Sequence, residues 1–280
     1  MINKKEDLQV RSDEDFLNCL QGKKLFGDDF NIDEILNWFA LEEEGYANLG
    51  AKDRSQYNYS YHKLNKHHCF KLINNYKLQN VLGLGSAYGD EFDPILNRIE
   101  ALTILDPSES FSKVNNIRGI PCHYIKPNAN GNMDFESNSF DLITCFGVLH
   151  HIPNVSHVMS ECYRSLAHGG LFLIREPVVS MGDWRNSRPG LTKNERGIPL
   201  PIFDKIIQSA GFIVRRRAMC DFRPLTLAAS KLGISTFNNE YLVMADAILS
   251  RLFIKNYKYH RNSVLGKFSP TSVAYVLQKI

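Results

Sequence analysis

The stretch Asn80–Glu91, NVLGLGSAYGDE, constrains this chain more than any other. Val81, Leu82 and Leu84 form an apolar, strand-forming run. Gly83, Gly85 and Gly89 are spaced so that the backbone can turn sharply and a ligand can approach it closely. Asp90 and Glu91 then open a helix expected over about 90–99, where acids suit its dipole. A turn of this kind, at the carboxyl end of the first strand of an α/β sheet, is a nucleotide-cofactor position. Twenty-one positions after Gly85, Asp106 ends the apolar run Leu102–Leu105. An acid about 20 residues beyond such glycines holds a ribose diol. Together these features place an adenosine-type cofactor at this edge.

The rest of the chain continues the alternation. Strands are expected at 80–84, 101–105, 122–125, 140–146, 171–175, 212–216 and 272–277. Helices are expected at 155–166, ended by Gly169-Gly170, then at 201–210 and 240–253. This predicts an α/β fold with a doubly wound, mostly parallel, seven-stranded sheet. Residues 1–77 read as a leader and helical cap. About the first 30 are a loose leader, and Asn31 then caps a helix with Glu34 reaching back. Tyr57, Tyr59 and Tyr61 alternate ahead of a helical 61–73. The core spans 78–280, with a lid loop at 177–200 and a helical insertion at 220–270 before the last strand; connections this long carry function or cover a site.

Composition narrows the class. A length of 280 residues with 44% hydrophobic content supplies one substantial core. A net charge of +3 without a Lys/Arg block argues against nucleic acid as a partner. The start, MINKKEDLQV, is not a signal peptide, and no apolar run is long enough for stable membrane insertion. Six scattered cysteines fit a reduced, cytoplasmic protein. His67, His68 and His157 have no ligand partners at useful spacing, so no metal is assigned.

With these pieces in order, the chain resembles class I S-adenosylmethionine-dependent methyltransferases, over about 78–219 and the last strand. The segments that carry the resemblance are VLGLGSAYG, TILDPS, MDFESNSFDLITCFGVLHHIPN and LAHGGLFLIREP. It is similar in particular to the sugar and natural-product O-methyltransferases with a His-His pair after the fourth strand. The resemblance implies a Rossmann-like sheet and S-adenosylmethionine as cofactor, released as S-adenosylhomocysteine. Gly83, Gly85, Ser86, Ala87 and Gly89 would form the cofactor turn, with Asp106 on the ribose and Pro107 beside the adenine. Asn130, Gly131, Asn132 and Met133 would lie near the adenine ring, and Phe146 and Gly147 along the methionyl chain. Two positions depart from the family: Gly83 stands where an acid is usual, and Ala87 where the middle glycine is usual. Backbone groups of Gly85 and Ser86 are expected to serve the amino-acid tail instead.

His150 and His151 are the candidate general bases, with Glu176 assisting, because an alcohol attacks a sulfonium methyl poorly until its proton is removed. The alternative is that one histidine packs structurally. Arg175, Trp184, Arg185, Arg188 and Arg196 are candidate substrate contacts, since guanidinium groups clamp phosphate or carboxylate and an aromatic face covers a sugar. Their alternative is a salt-bridged lid. Tyr59 of the cap joins them, against a packing role. The expected acceptor is a hydroxyl of a nucleotide- or lipid-linked saccharide used for a surface polysaccharide. Other readings are a non-sugar small molecule with an O- or N-acceptor, a nicotinamide oxidoreductase, or a non-catalytic binding module. A homodimer stays open.

Overall fold

In the computed structural model, residues 12–48, 54–55, 57–73, 76–108 and 115–280 are described. The sheet has eight strands: β1 (Leu78–Leu84), β2 (Ile99–Leu105), β3 (Asn116–Ile117), β4 (Ile120–Ile125), β5 (Phe140–Phe146), β6 (Leu166–Pro177), β7 (Ile213–Phe222) and β8 (Pro270–Gln278), in the order β3-β4-β2-β1-β5-β6-β8-β7. β4, β2, β1, β5 and β6 run parallel; β8 is antiparallel to both neighbours, and the short β3 is antiparallel to β4. The seven expected strands are present within a sheet of eight. The extra one, β3, is a two-residue hairpin arm around Gly119, too short for a periodic signal.

Both faces of the sheet are covered, as parallel strands require. Leu82, Ile143, Phe172 and Tyr275 pack toward the helices α4 (Val155–Ser165) and α5 (Leu200–Ser209). Val81, Leu142, Leu173 and Val276 turn the other way, toward Phe70, Ile95 and Val243. The order reverses between β1 and β5. The switch point therefore lies beside the glycine turn, where ligands bind in open α/β sheets.

Three local expectations are corrected. No α-helix spans 90–99; two 3₁₀ turns, Asp90–Phe92 and Leu96–Arg98, stand there. Pro94 lacks the N–H that a helix begun at Asp90 needs, and Asp90, Glu91 and Phe92 all turn inward. Helix α4 stops at Ser165, and Gly169-Gly170 lie inside β6. The leader is not loose after residue 12: Ser12 caps α1 (Asp13–Leu20), which buries Phe16 and Cys19, while residues 1–11 lie outside the described residues. The capping reading at Asn31 is met on α2 (Ile32–Asn48). Asn31 N–H donates to Glu34 Oε2 at 2.8 Å, and Glu34 N–H donates to Asn31 Oδ1 at 3.0 Å. The cap continues in α3 (His62–His68), and the insertion forms α6 (Arg223–Lys231), α7 (Glu240–Leu252) and α8 (Val264–Lys267). No described helix is long and apolar enough to cross a membrane.

Candidate active site

The crevice at the end of β1 is shaped by backbone. Gly85 has φ +60°, and a Cβ there would sit 2.6 Å from Val148 Cγ2, so only glycine fits. Gly89 takes φ +72°. Ala87 adopts φ +48° without being glycine, a conformation that persists only where neighbours fix it. They do: Ala87 N–H donates to Asp106 Oδ2 at 3.1 Å, and Tyr124 O–H donates to Ala87 O at 2.6 Å. Asp106 Oδ1 accepts from Ser108 N–H at 3.0 Å. Burial pushes the Asp106 carboxyl up to about 6, against these two bonds. Each oxygen retains acceptor capacity for a diol, and Pro107 lies half-buried beside it.

The loop expected near the adenine is pinned to α4. Asn154 Nδ2 donates to Asn130 O at 2.7 Å, and Met133 N–H donates to Glu161 Oε2 at 2.9 Å. A Cβ on Gly131 would meet Val158 at 2.9 Å. Phe146 is buried, and Gly147 turns at φ +78° with its N–H on Arg175 O at 2.7 Å. These residues fit an adenosine-bearing group: a fixed acid, a glycine cradle and a buried apolar wall. Gly83 cannot be an acid here, since its Cβ would fall 2.2 Å from Ser86 Oγ. Ser86 Oγ donates to Glu91 Oε1 at 3.0 Å, and Thr144 Oγ1 donates to the same oxygen at 2.5 Å. Glu91 is thus the buried acid of this crevice, raised by burial to about 7. Its place in an expected surface helix hid it.

A second cluster begins at the 3₁₀ turn Leu149–His151, directly after β5. Glu176 of β6, wholly buried, holds that turn. Its Oε1 accepts from Val148 N–H at 2.8 Å and Leu149 N–H at 2.9 Å, and its Oε2 pairs with His150 Nδ1 at 2.7 Å. On the other side of the ring, His150 Nε2 lies 3.4 Å from Glu195 Oε1. Burial alone would lower the His150 pKa, but hydrogen bonds and charge from Glu176 and Glu195 raise it to about 9. His150 is therefore a clamped imidazolium. His151 is different: burial and the neighbouring His150 charge lower its pKa below the usual value. Glu42 of α2 orients it, with Oε2 at 3.0 Å from Nδ1. Thr192 Oγ1 donates to that oxygen at 2.6 Å, and Asn194 N–H donates to Glu42 Oε1 at 3.0 Å.

Glu42, Thr192 and Glu195 are not among the residues the sequence singles out, although the last two fall in the lid loop expected at 177–200. Glu42 carried a signal: it falls seven residues after Ile35 and four after Trp38, on the buried stripe of α2. One ring nitrogen of each histidine and one Glu195 oxygen lie within 4.8 Å of one another, donor types that suit a divalent cation, although the sequence assigns none.

The substrate candidates divide. Arg175 is buried at the rim, with Nε donating to Asn65 Oδ1 at 3.0 Å and its guanidinium 4.1 Å over the Tyr61 ring. Asn65 Nδ2 in turn reaches Tyr59 O–H at 2.5 Å, so the cap and β6 meet here. Burial corrects two assignments, Trp184 and Arg196, while Arg185 and Arg188 are engaged within their own loop. Trp184 is no sugar platform: it is buried among Phe16 and Phe26, stacked on the latter at 5.0 Å. Arg185 pairs with Asp183 and lies over Phe16 on the surface. Arg188 donates to the carbonyls of Met181, Thr192 and Lys193 within its own loop. Arg196 has 0% exposure and donates to the carbonyls of Phe26, Leu149, His150, Ile152 and Pro153. In each case the arginine met carbonyls or acids of its own fold, which composition cannot reveal.

Residues 82–174, about a third of the chain, match a methyltransferase-domain family. The fold agrees. A SAM-dependent methyltransferase from Archaeoglobus fulgidus superposes with a TM-score of 0.50 at 16% identity, covering 78% of this chain and 94% of that one. A Haemonchus contortus phosphoethanolamine N-methyltransferase, solved with phosphomonomethylethanolamine and S-adenosylhomocysteine, gives 0.50 at 15% identity over 77% of this chain and 52% of that one. A ubiquinone biosynthesis O-methyltransferase of Shewanella pealeana is 35% identical over 52 residues, 19% of this chain and 22% of the relative. The match therefore spans about a fifth of that relative's length.

Proposed function

We propose that this chain transfers a methyl group from S-adenosylmethionine to a hydroxyl of a small molecule, a saccharide being the acceptor favoured from the histidine pair. The Glu42–His151 pair carries the reading: a half-buried imidazole beside the donor crevice, oriented by a carboxylate, its pKa lowered by burial and the His150 charge. When bound, the cofactor supplies the sulfonium methyl. Asp106 would hold its ribose, the Asn130–Met133 loop and Pro107 would flank its adenine, and Phe146 and Gly147 would line its methionyl chain. His151 takes the hydroxyl proton, and Glu42 stabilises the imidazolium that results. A positioned base of this kind contributes roughly 10²–10⁴-fold. Glu176 acts through His150, fixing the turn from which His151 projects. Arg175 and Tyr59 are the rim groups left for the acceptor. The 52-residue likeness to an O-methyltransferase supports oxygen as the accepting atom.

The test is release of S-adenosylhomocysteine from the full chain with a panel of sugar nucleotides, lipid-linked saccharides, phenols and amines. Turnover confined to hydroxyl acceptors is expected. Turnover with amines alone would reassign the accepting atom, and turnover with phenols but no saccharide would remove the sugar.

A further inference from the structure

Helix α7 buries Val243 together with two polar groups, Asp246 and Ser250, each with 0% exposure, and shows solvent an apolar stripe. Tyr241 (84%), Met244 (50%), Ile248 (59%) and Leu252 (69%) fall at i, i+3, i+7 and i+11, one face of a helix. The buried acid has a local reason, since Asp246 accepts from the N–H groups of Asp221 and Phe222 at 3.0 and 2.6 Å. The exposed stripe has none within the described residues.

It does not stand alone. Phe253, just past α7, stacks on Phe222 at 5.1 Å, which joins the end of this helix to the start of α6. There, Arg223, Pro224 and Leu227 of α6 line a cavity of about 330 Å³ with Arg261, Lys267 and Phe268. Val264 and Leu265 of α8 are exposed at 74% and 73%. Residues 223–268 carry seven Lys or Arg against two acids, one of them the buried Asp246. Exposed large apolar side chains gathered on one segment point to an interaction site.

We propose that the insertion, α6 to α8, is a docking surface for an anionic membrane. Apolar side chains enter the headgroup boundary while Lys and Arg around them meet acidic headgroups, the pattern of a helix that lies in a membrane surface. A second copy of the chain fits less well, because pairing the insertion with itself sets one cationic segment against another. Nucleic acid offers nothing to the Tyr241–Leu252 stripe. The proposal rests on this surface alone and stands apart from the methyl-transfer reading.

The test is co-sedimentation of the full chain with phosphatidylcholine vesicles, with and without phosphatidylglycerol, alongside sedimentation equilibrium without lipid. Binding to the anionic vesicles, weakened by salt and absent from phosphatidylcholine alone, is expected. The variants I248E/L252E and R251E/K255E, altered at exposed positions at the end of α7 and in the turn just past it, should each lower it at least tenfold and keep the wild-type melting temperature and S-adenosylhomocysteine affinity. Failure of wild type to bind anionic vesicles overturns the proposal. So does undiminished binding by both variants, or a wild-type dimer that I248E/L252E dissolves.

Discussion

The donor side and the acceptor side of the crevice are built in opposite ways. The donor side is local: the turn 83–89, Asp106, the loop 130–133 and the end of β5 each lie within a few residues of a strand terminus. The acceptor side draws Glu42 from the cap, His150 and His151 from the turn after β5, Glu176 from β6, and Thr192 and Glu195 from the long loop. Backbone conformation defines the first, and long-range carboxylate–imidazole pairing defines the second. They should therefore fail differently when residues are replaced.

The largest effect is expected at Glu176. Truncation to alanine leaves a buried imidazolium and two amide N–H groups without their acceptor, and breaking such a buried pair costs about 3–5 kcal/mol. Urea unfolding should show this loss, and glutamine should restore part of it by accepting from the amides. Equal stability of all three proteins would mean that the turn does not depend on this carboxylate.

His151→Gln comes next. Its turnover should fall roughly 10²–10⁴-fold while the fold stays intact, as steady-state rates and far-ultraviolet circular dichroism can check. The array should not need an ion, because Glu195 meets His150 Nε2 directly. Treatment with EDTA should leave turnover within about twofold of the untreated protein. Loss restored by added Mg²⁺ or Mn²⁺ would instead make His150, His151 and Glu195 a cation site.

Asp106→Ala should weaken the donor by about 10- to 100-fold, the scale of charged hydrogen bonds. The same carboxyl sets a pH dependence. Its folded pKa, about 6, lies above the ordinary 3.8, so the folded chain holds this proton more tightly than the unfolded one. Its contribution to stability therefore rises as pH falls through 6 toward 4. Donor binding needs the ionised form, so the dissociation constant should rise about tenfold per pH unit below 6. Calorimetric titrations between pH 5 and 8 would show it, and a flat profile would place the ribose elsewhere. The smallest effect belongs to Arg185→Ala, an exposed pairing with Asp183 whose loss should leave both the melting temperature and turnover unchanged.

The same contrast explains what was legible. Glycines with positive φ, an acid closing an apolar run, and alternation of strand and helix are short-range signals. They placed the sheet, the turn and Asp106. The helix expected at 90–99 failed because Pro94 sits inside it, and with that error Glu91 was missed as a buried acid. Trp184, Arg185, Arg188 and Arg196 share the composition of a binding lid, yet the three arginines are paired within their own fold and the Trp184 ring packs on Phe16 and Phe26. What decides between lid and ligand is which groups lie nearby: for Trp184 and Arg196 they come from residues 16, 26 and 149–153, and for Arg185 and Arg188 from the loop itself. Glu42 shows the reverse case: an acid on a buried helical stripe whose partner lies 109 positions away.

The most direct test of a separable donor and acceptor side is calorimetric titration of S-adenosylhomocysteine into wild type, His151→Gln and Asp106→Ala. His151→Gln should bind with wild-type affinity although its turnover is lost, and Asp106→Ala should bind at least tenfold more weakly. Wild-type affinity in Asp106→Ala, or a His151→Gln protein that no longer binds, would contradict the division on which the account rests.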